Sequence, residues 1–145
     1  MKNSSQRSNS QGPEKIYLNW GDYNKKLITL INIIKKNGVK FDFVYGIPRG
    51  GLIPAVFISH QLEIDLLINL NSSLNKLEDK KIFIIDDIVD TGITMIEITN
   101  LIKLFNIKLK VFSGSIFKHK KSNFIPDFYV EENDKWIIFP YERVN

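Results

Sequence analysis

The sequence predicts an α/β protein built on a parallel sheet. Three observations carry this. Residues 82–85, Ile-Phe-Ile-Ile, form an apolar run rich in β-branched side chains, as a strand buried on both faces requires. Between residues 41 and 117, strand-like runs alternate with stretches of helical periodicity, the pattern of right-handed β-α-β units. Twice, at residues 46–51 and 86–94, a strand runs into a tight turn that opens a helix. In open α/β sheets that is the end where ligands bind.

Composition bounds the function. At 145 residues the chain is one domain with room for a core, and 43% hydrophobic with 25% charged residues is ordinary for a globular protein. There is no cysteine, which excludes disulfides and thiolate metal sites and points to a reducing compartment, the cytoplasm. No apolar run approaches the roughly 20 residues of a membrane span, so no membrane partner is expected. The net charge of +4 is a mild excess. It suits anionic metabolites, and no nucleic-acid partner is expected.

Taken in order, residues 1–13 are polar and close on Gly12-Pro13, which predicts a disordered tail ahead of a single domain over 14–145. Residues 16–18 form a possible short strand. Tyr23, Leu27, Leu30, Ile31 and Ile34 recur at helical spacing over 22–37, with Gly38 placed as a C-cap. A first core strand is predicted at 41–45, a helix at 52–61, a strand at 64–70 and a polar connector at 71–73. After the central strand, a helix over 92–106 is expected to turn Ile93, Ile96, Leu101, Leu104 and Phe105 inward, and 108–117 reads as a further strand. The short strand predicted at 126–130 and the apolar, aromatic piece at 136–142 read as a small cap, mainly over 117–145, rather than another βα unit.

The chemistry concentrates at 86–94. Asp86, Asp87 and Asp90 stand with Thr91, Gly92 and Thr94 where a helix begins. A helix start offers unpaired N–H groups and partial positive charge, which suits phosphate. Carboxylates suit sugar hydroxyls or magnesium. A sugar phosphate with its metal wants both. Asp86-Asp87 alone would read as a helix cap; the third acid and two hydroxyls shift the reading. At 46–51, Gly50 and Gly51 permit close backbone approach, and Arg49 supplies a cation with five donors. Neither GxxxxGK[ST] nor GxGxxG occurs.

These residues resemble the type I phosphoribosyltransferases. IIDDIVDTGIT, residues 84–94, matches that family's signature for 5-phosphoribosyl 1-pyrophosphate (PRPP). YGIPRGGLIPA, residues 45–55, looks like its pyrophosphate loop, and WIIFPYE, residues 136–142, is similar to the ending of the xanthine-guanine and hypoxanthine branch. The resemblance implies a parallel-sheet core with flanking helices and a small C-terminal hood. It implies transfer of phosphoribosyl from PRPP to guanine, xanthine or hypoxanthine with Mg²⁺, in a dimer or tetramer.

It also implies roles. Asp86 and Asp87 would bind the ribose hydroxyls, directly or through magnesium. Asp90 would act as acid or base beside the purine. Thr91, Gly92, Ile93 and Thr94 would wrap the 5′-phosphate. Arg49, Gly50 and Gly51 would hold pyrophosphate, with a cis peptide at Pro48–Arg49. Trp136 would stack on the base, and the Ile137 backbone would meet its edge. Relatives read the purine 6-oxo group with a strand lysine. Ungapped alignment puts His119 there, and Lys118 lies one residue away. The mobile loop that relatives fold over the site is short, at most residues 70–80. Two other readings share this fold: a phosphoribosyltransferase for another base, and a regulator that binds PRPP or a nucleotide.

Overall fold

A computed structural model describes residues 11–143. The elements are β1 (Lys15–Tyr17), α1 (Trp20–Asn37), β2 (Phe43–Gly46), α2 (Leu52–Leu62), β3 (Asp65–Leu67), a 3₁₀ turn (Ser72–Lys76), β4 (Lys81–Val89), α3 (Ile93–Phe105), β5 (Lys110–His119), β6 (Phe128–Asn133), β7 (Trp136–Ile138) and a second 3₁₀ turn (Pro140–Glu142). Five strands form a parallel sheet in the order β3-β2-β4-β5-β6, and β1 pairs with β7 in a separate two-stranded sheet. The tail expected over 1–13 lies, for residues 1–10, outside the described residues; residues 11–13 are exposed and irregular.

β4 is the spine. Ile82, Phe83, Ile84 and Ile85 are all fully buried. Phe83 and Ile85 face α1 and α2 with Leu30, Ile34, Val44 and Ile58. Ile82 and Ile84 face the α3 side with Met95, Ile102 and Leu74. Burial on both faces is why this strand reads as a continuous apolar run without alternation. Phe41 stacks on Phe83 with ring centroids 4.8 Å apart, and Phe128 meets Phe83 edge-on at 5.8 Å. Helix α1 starts at Asn19, whose side chain accepts the Asp22 N–H at 2.8 Å, and ends at Gly38 with φ 83°, the left-handed C-cap expected there.

The topology places the site. After β2 the chain crosses through α2 to β3 on one side; after β4 it crosses through α3 to β5 on the other. β2 and β4 are neighbours, with Gly46 opposite Ile85. Their carboxyl ends flank the point where the winding reverses, so the loops after them diverge around one crevice.

Three expectations need correction. β4 continues to Val89, so Asp86 and Asp87 lie within the strand rather than after it. Ile93, Ile96, Leu101 and Leu104 do not face the core: Leu104 is 83% exposed and Ile93 59%. Met95 and Ile102 are the buried residues, with Phe105 only partly covered. The segment read as a cap contributes β6 to the main sheet as its edge strand beside β5. Asp127 secures its start by accepting the Ser113 N–H at 2.7 Å and the Ser113 hydroxyl at 2.9 Å. The hood proper is β1, β7 and the final turn, packed on α1 through Tyr23, Leu27, Ile137 and Phe139.

Gly114 on β5 makes room for the Phe83 ring: a Cβ there would lie 2.3 Å from Phe83 Cζ. Overfilling a packed core typically costs about 1–3 kcal/mol. Gly114→Ala is therefore expected to lower the urea midpoint by that equivalent with little change in slope. An unaltered midpoint would show that Phe83 yields freely.

Candidate active site

Two loops meet at the β2–β4 crevice. The first leaves β2 and turns through Ile47, Pro48, Arg49, Gly50 and Gly51. Ile47 N–H donates to Ile85 O at 2.9 Å, and Gly51 N–H donates to Ile47 O at 2.9 Å. The Pro48–Arg49 peptide is cis. Gly50 sits directly on the Asp87 carboxylate: a Cβ there would fall 2.0 Å from Oδ2 and 2.3 Å from Cγ. Only glycine allows that approach. Arg49 is exposed, and among the described residues its guanidinium makes no ion pair.

The second loop leaves β4 through Asp90, Thr91 and Gly92. Gly92 has φ 89°, which turns the chain into α3, and its α-carbon lies against Phe124, where a Cβ would come within 2.1 Å. Thr91 Oγ1 accepts the Ile93 N–H at 3.3 Å. Asp86, Ile88, Val89, Asp90, Thr91, Gly92, Thr94 and Met95 line a pocket of about 90 Å³. It brings together Asp86, Asp90, both threonines and the helix start that the sequence singled out. Asp87 is not part of this lining; its carboxylate lies against Gly50 of the first loop.

The acid pair is electrostatically strained. Asp86 Oδ1 accepts the Asp87 N–H at 2.9 Å, and Asp87 Oδ1 accepts the Ile88 N–H at 2.7 Å. Burial first, and the adjacent Asp87 charge second, push the Asp86 carboxyl up to about 8. A cation or a set of sugar hydroxyls would relieve that repulsion. Among the described residues no three His, Asp or Glu side chains converge on one point. A magnesium ion would draw most of its shell from substrate oxygens and water, with one or two of these carboxylates, which is its usual habit. The donor set fits.

The residues expected at the base lie apart from that pocket. Trp136 and Ile137 are on β7, outside its lining. Trp136 is 54% exposed, so it is not core filling, whereas Ile137 is buried. Lys118 stands opposite Val89 on the neighbouring strand, next to the Asp90 turn. It is 4% exposed and its ammonium donates to Glu132 at 2.8 Å. His119 is half-buried, and its Nδ1 accepts the Lys121 N–H at 3.2 Å.

Sequence reading missed three participants. Glu132 partners Lys118 across the β5–β6 register, which no local pattern reveals. Phe124 backs Gly92 from a polar stretch. Tyr141, inside the quoted WIIFPYE segment, donates its hydroxyl to Asp87 Oδ2.

The Asp86 shift sets a pH dependence. An unfolded aspartate titrates near 4. Between about pH 4 and 8 the folded state therefore holds more protons, and the stability contributed by this group falls as pH rises through that window. Asp86→Asn removes the loss. Its unfolding free energy relative to wild type should improve by about 1 kcal/mol or more between pH 5 and pH 8. A pH-independent difference in denaturation would count against the burial account.

The comparisons with known proteins agree with this geometry. The phosphoribosyl transferase domain family matches residues 66–143. The xanthine-guanine phosphoribosyltransferase of Desulfotalea psychrophila is 29% identical over 119 residues, covering 70% of this chain and 71% of that protein. The enzyme of the same name from Cereibacter sphaeroides is 27% identical over 119 residues, covering 68% of each. The crystal structure of the purine phosphoribosyltransferase from Pyrococcus horikoshii superposes with a TM-score of 0.77 at 30% identity, over 90% of this chain and 96% of that one. With the signature strand, both loops and the hood accounted for, the chain belongs to the phosphoribosyl transferase family and is a phosphoribosyltransferase.

Proposed function

We propose that this protein transfers the phosphoribosyl group of PRPP to a purine base, giving a nucleoside monophosphate and pyrophosphate. The observation that carries the reading is the meeting of two differently equipped loops at one switch point. One carries Arg49 beside Gly50; the other, with the end of β4, carries Asp86, Asp87 and Asp90 ahead of a helix start. A ligand with a diphosphate at one end, a ribose in the middle and a phosphate at the other would span them. The names of the relatives support a purine as acceptor.

In this reading Thr91, Gly92, Ile93 and Thr94 hold the 5′-phosphate at the start of α3, where N–H groups and the helix dipole favour an anion. Asp86 and Asp87 take the ribose hydroxyls. Arg49, with the Gly50–Gly51 backbone, takes the pyrophosphate and stabilises its charge as it leaves. Magnesium, held by Asp86 or Asp87 together with the substrate, would supply further neutralisation of that leaving group. The carbon–oxygen bond at the anomeric centre breaks as a purine nitrogen bonds to the same carbon, and the purine gives up its proton. Asp90, exposed at the rim, is the group within the loop suited to take it. Trp136 would offer a stacking face, and Lys118 or His119 would read the purine 6-position. Lys118 would first have to leave Glu132.

The test is a panel of bases with PRPP and Mg²⁺, assayed for pyrophosphate release. Turnover of guanine, xanthine or hypoxanthine is expected. Activity confined to uracil or orotate would overturn the purine assignment, and no turnover with any base would overturn the reading of the site. Trp136→Ala is expected to raise KM for the base by an amount worth about 1–3 kcal/mol, the usual range for a base–aromatic stack. Its KM for PRPP should hold. Because the ring is 54% exposed, stability should change little. An unchanged KM for the base would remove Trp136 from the site.

A further inference from the structure

The Asp87 carboxylate is closed in from three directions. Its Oδ1 accepts the Ile88 N–H at 2.7 Å, and its Oδ2 accepts the hydroxyl of Tyr141. Gly50 lies against the same Oδ2, with no space for even a methyl group between them. One oxygen thus joins the central strand, the loop after β2 and the C-terminal segment, which are remote in sequence.

Tyr141 is itself held firmly. Its ring stacks on Phe139 at 5.4 Å with planes 8° apart. It meets the edge of Tyr23 at 5.8 Å and lies 6.3 Å from Trp20. The turn that carries it is fixed on both sides. Glu142 accepts the Phe139 N–H at 2.7 Å, and Arg143 donates to Leu18 O at 2.6 Å. Tyr23, packed beside it, has a buried hydroxyl with no partner, so Tyr141 is the phenol of this pair that reaches an acceptor. A buried phenol normally finds one, and a hydrogen bond to a charged oxygen is among the stronger kinds.

We infer that Tyr141 is a positioning residue: its hydroxyl sets the orientation of Asp87 against Gly50, so the hood holds in place the acid that serves the phosphoribosyl group. The inference rests on the reading above, in which Asp87 binds that group. It adds that the hood contributes to PRPP binding through one hydroxyl, besides carrying Trp136 for the base.

Tyr141→Phe keeps the ring stack and removes only the hydroxyl. Calorimetric titration with PRPP and Mg²⁺ is expected to show affinity weakened about tenfold, on the scale of a lost hydrogen bond to a charged group. The KM for the base should stay within about twofold, and the melting temperature within a few degrees. In an Asp87→Asn background the same substitution should change PRPP affinity less than about twofold, because the partner charge is already gone. Three results would overturn the inference: equal PRPP affinity in wild type and Tyr141→Phe, an equal loss in both backgrounds, or a parallel loss of base and PRPP affinity with a collapse in melting temperature. Wild-type protein that binds no PRPP would remove the functional reading and this inference with it. Wild-type binding with an unaffected variant would remove the inference alone.

Discussion

The pairing of β2 with β4 is the constraint on which the site depends. Gly46 opposite Ile85 brings two carboxyl ends together, and the chain then leaves in opposite directions. Neither loop is a site alone. The loop after β2 has a cation and a backbone free to approach, but no acid. The end of β4 and the loop after it have acids and a helix start, but no cation. Their union follows from strand order, and the strand order is held by the least negotiable part of the core, the four fully buried residues 82–85. Destabilising that spine would separate the loops before it changed either one.

Function runs against stability at the end of the same strand. Asp86 and Asp87 extend an apolar run by two part-buried carboxyl groups whose charges oppose each other. A sequence selected for folding alone would continue with apolar residues or place a single cap. The arrangement is sensible if a ligand supplies the missing donors or cation, since unfavourable terms in the free protein then become favourable terms on binding. Glycine at position 50 belongs to the same logic, because a side chain there would drive the Asp87 carboxylate from its place.

Much of this was legible in the sequence, for identifiable reasons. The central strand announced itself because burial on both faces removes alternation. The loop chemistry was legible because acids, hydroxyls and glycine crowd a strand-to-helix turn. The inward face of α3 was not legible, because apolar residues surround that helix: Ile93, Met95, Ile96, Ile98, Leu101, Ile102, Leu104 and Phe105 fit more than one stripe. From sequence the β6 segment reads as part of the cap, because membership of a sheet edge is decided by the partner, not the segment. Glu132 beside Lys118 depended on register between two strands, which a single pass along the chain does not contain.

The Lys118–Glu132 pair shows what that missing information changes. Alignment along β5 puts His119 at the position in question, with Lys118 one residue away. The structure buries Lys118 and gives its ammonium a carboxylate. A buried ammonium without a partner would be costly, so Glu132 explains why lysine is tolerated there at all. The same bond makes the ammonium less available to a neutral acceptor such as a purine oxygen, which would have to replace a charged one. Among the described residues the half-buried His119 ring is engaged only by the Lys121 amide, so in the proposed reading it would give up less to turn toward a base. In the proposed reading, the choice of base would then depend on how the strands pair as well as on which residues the strand end carries.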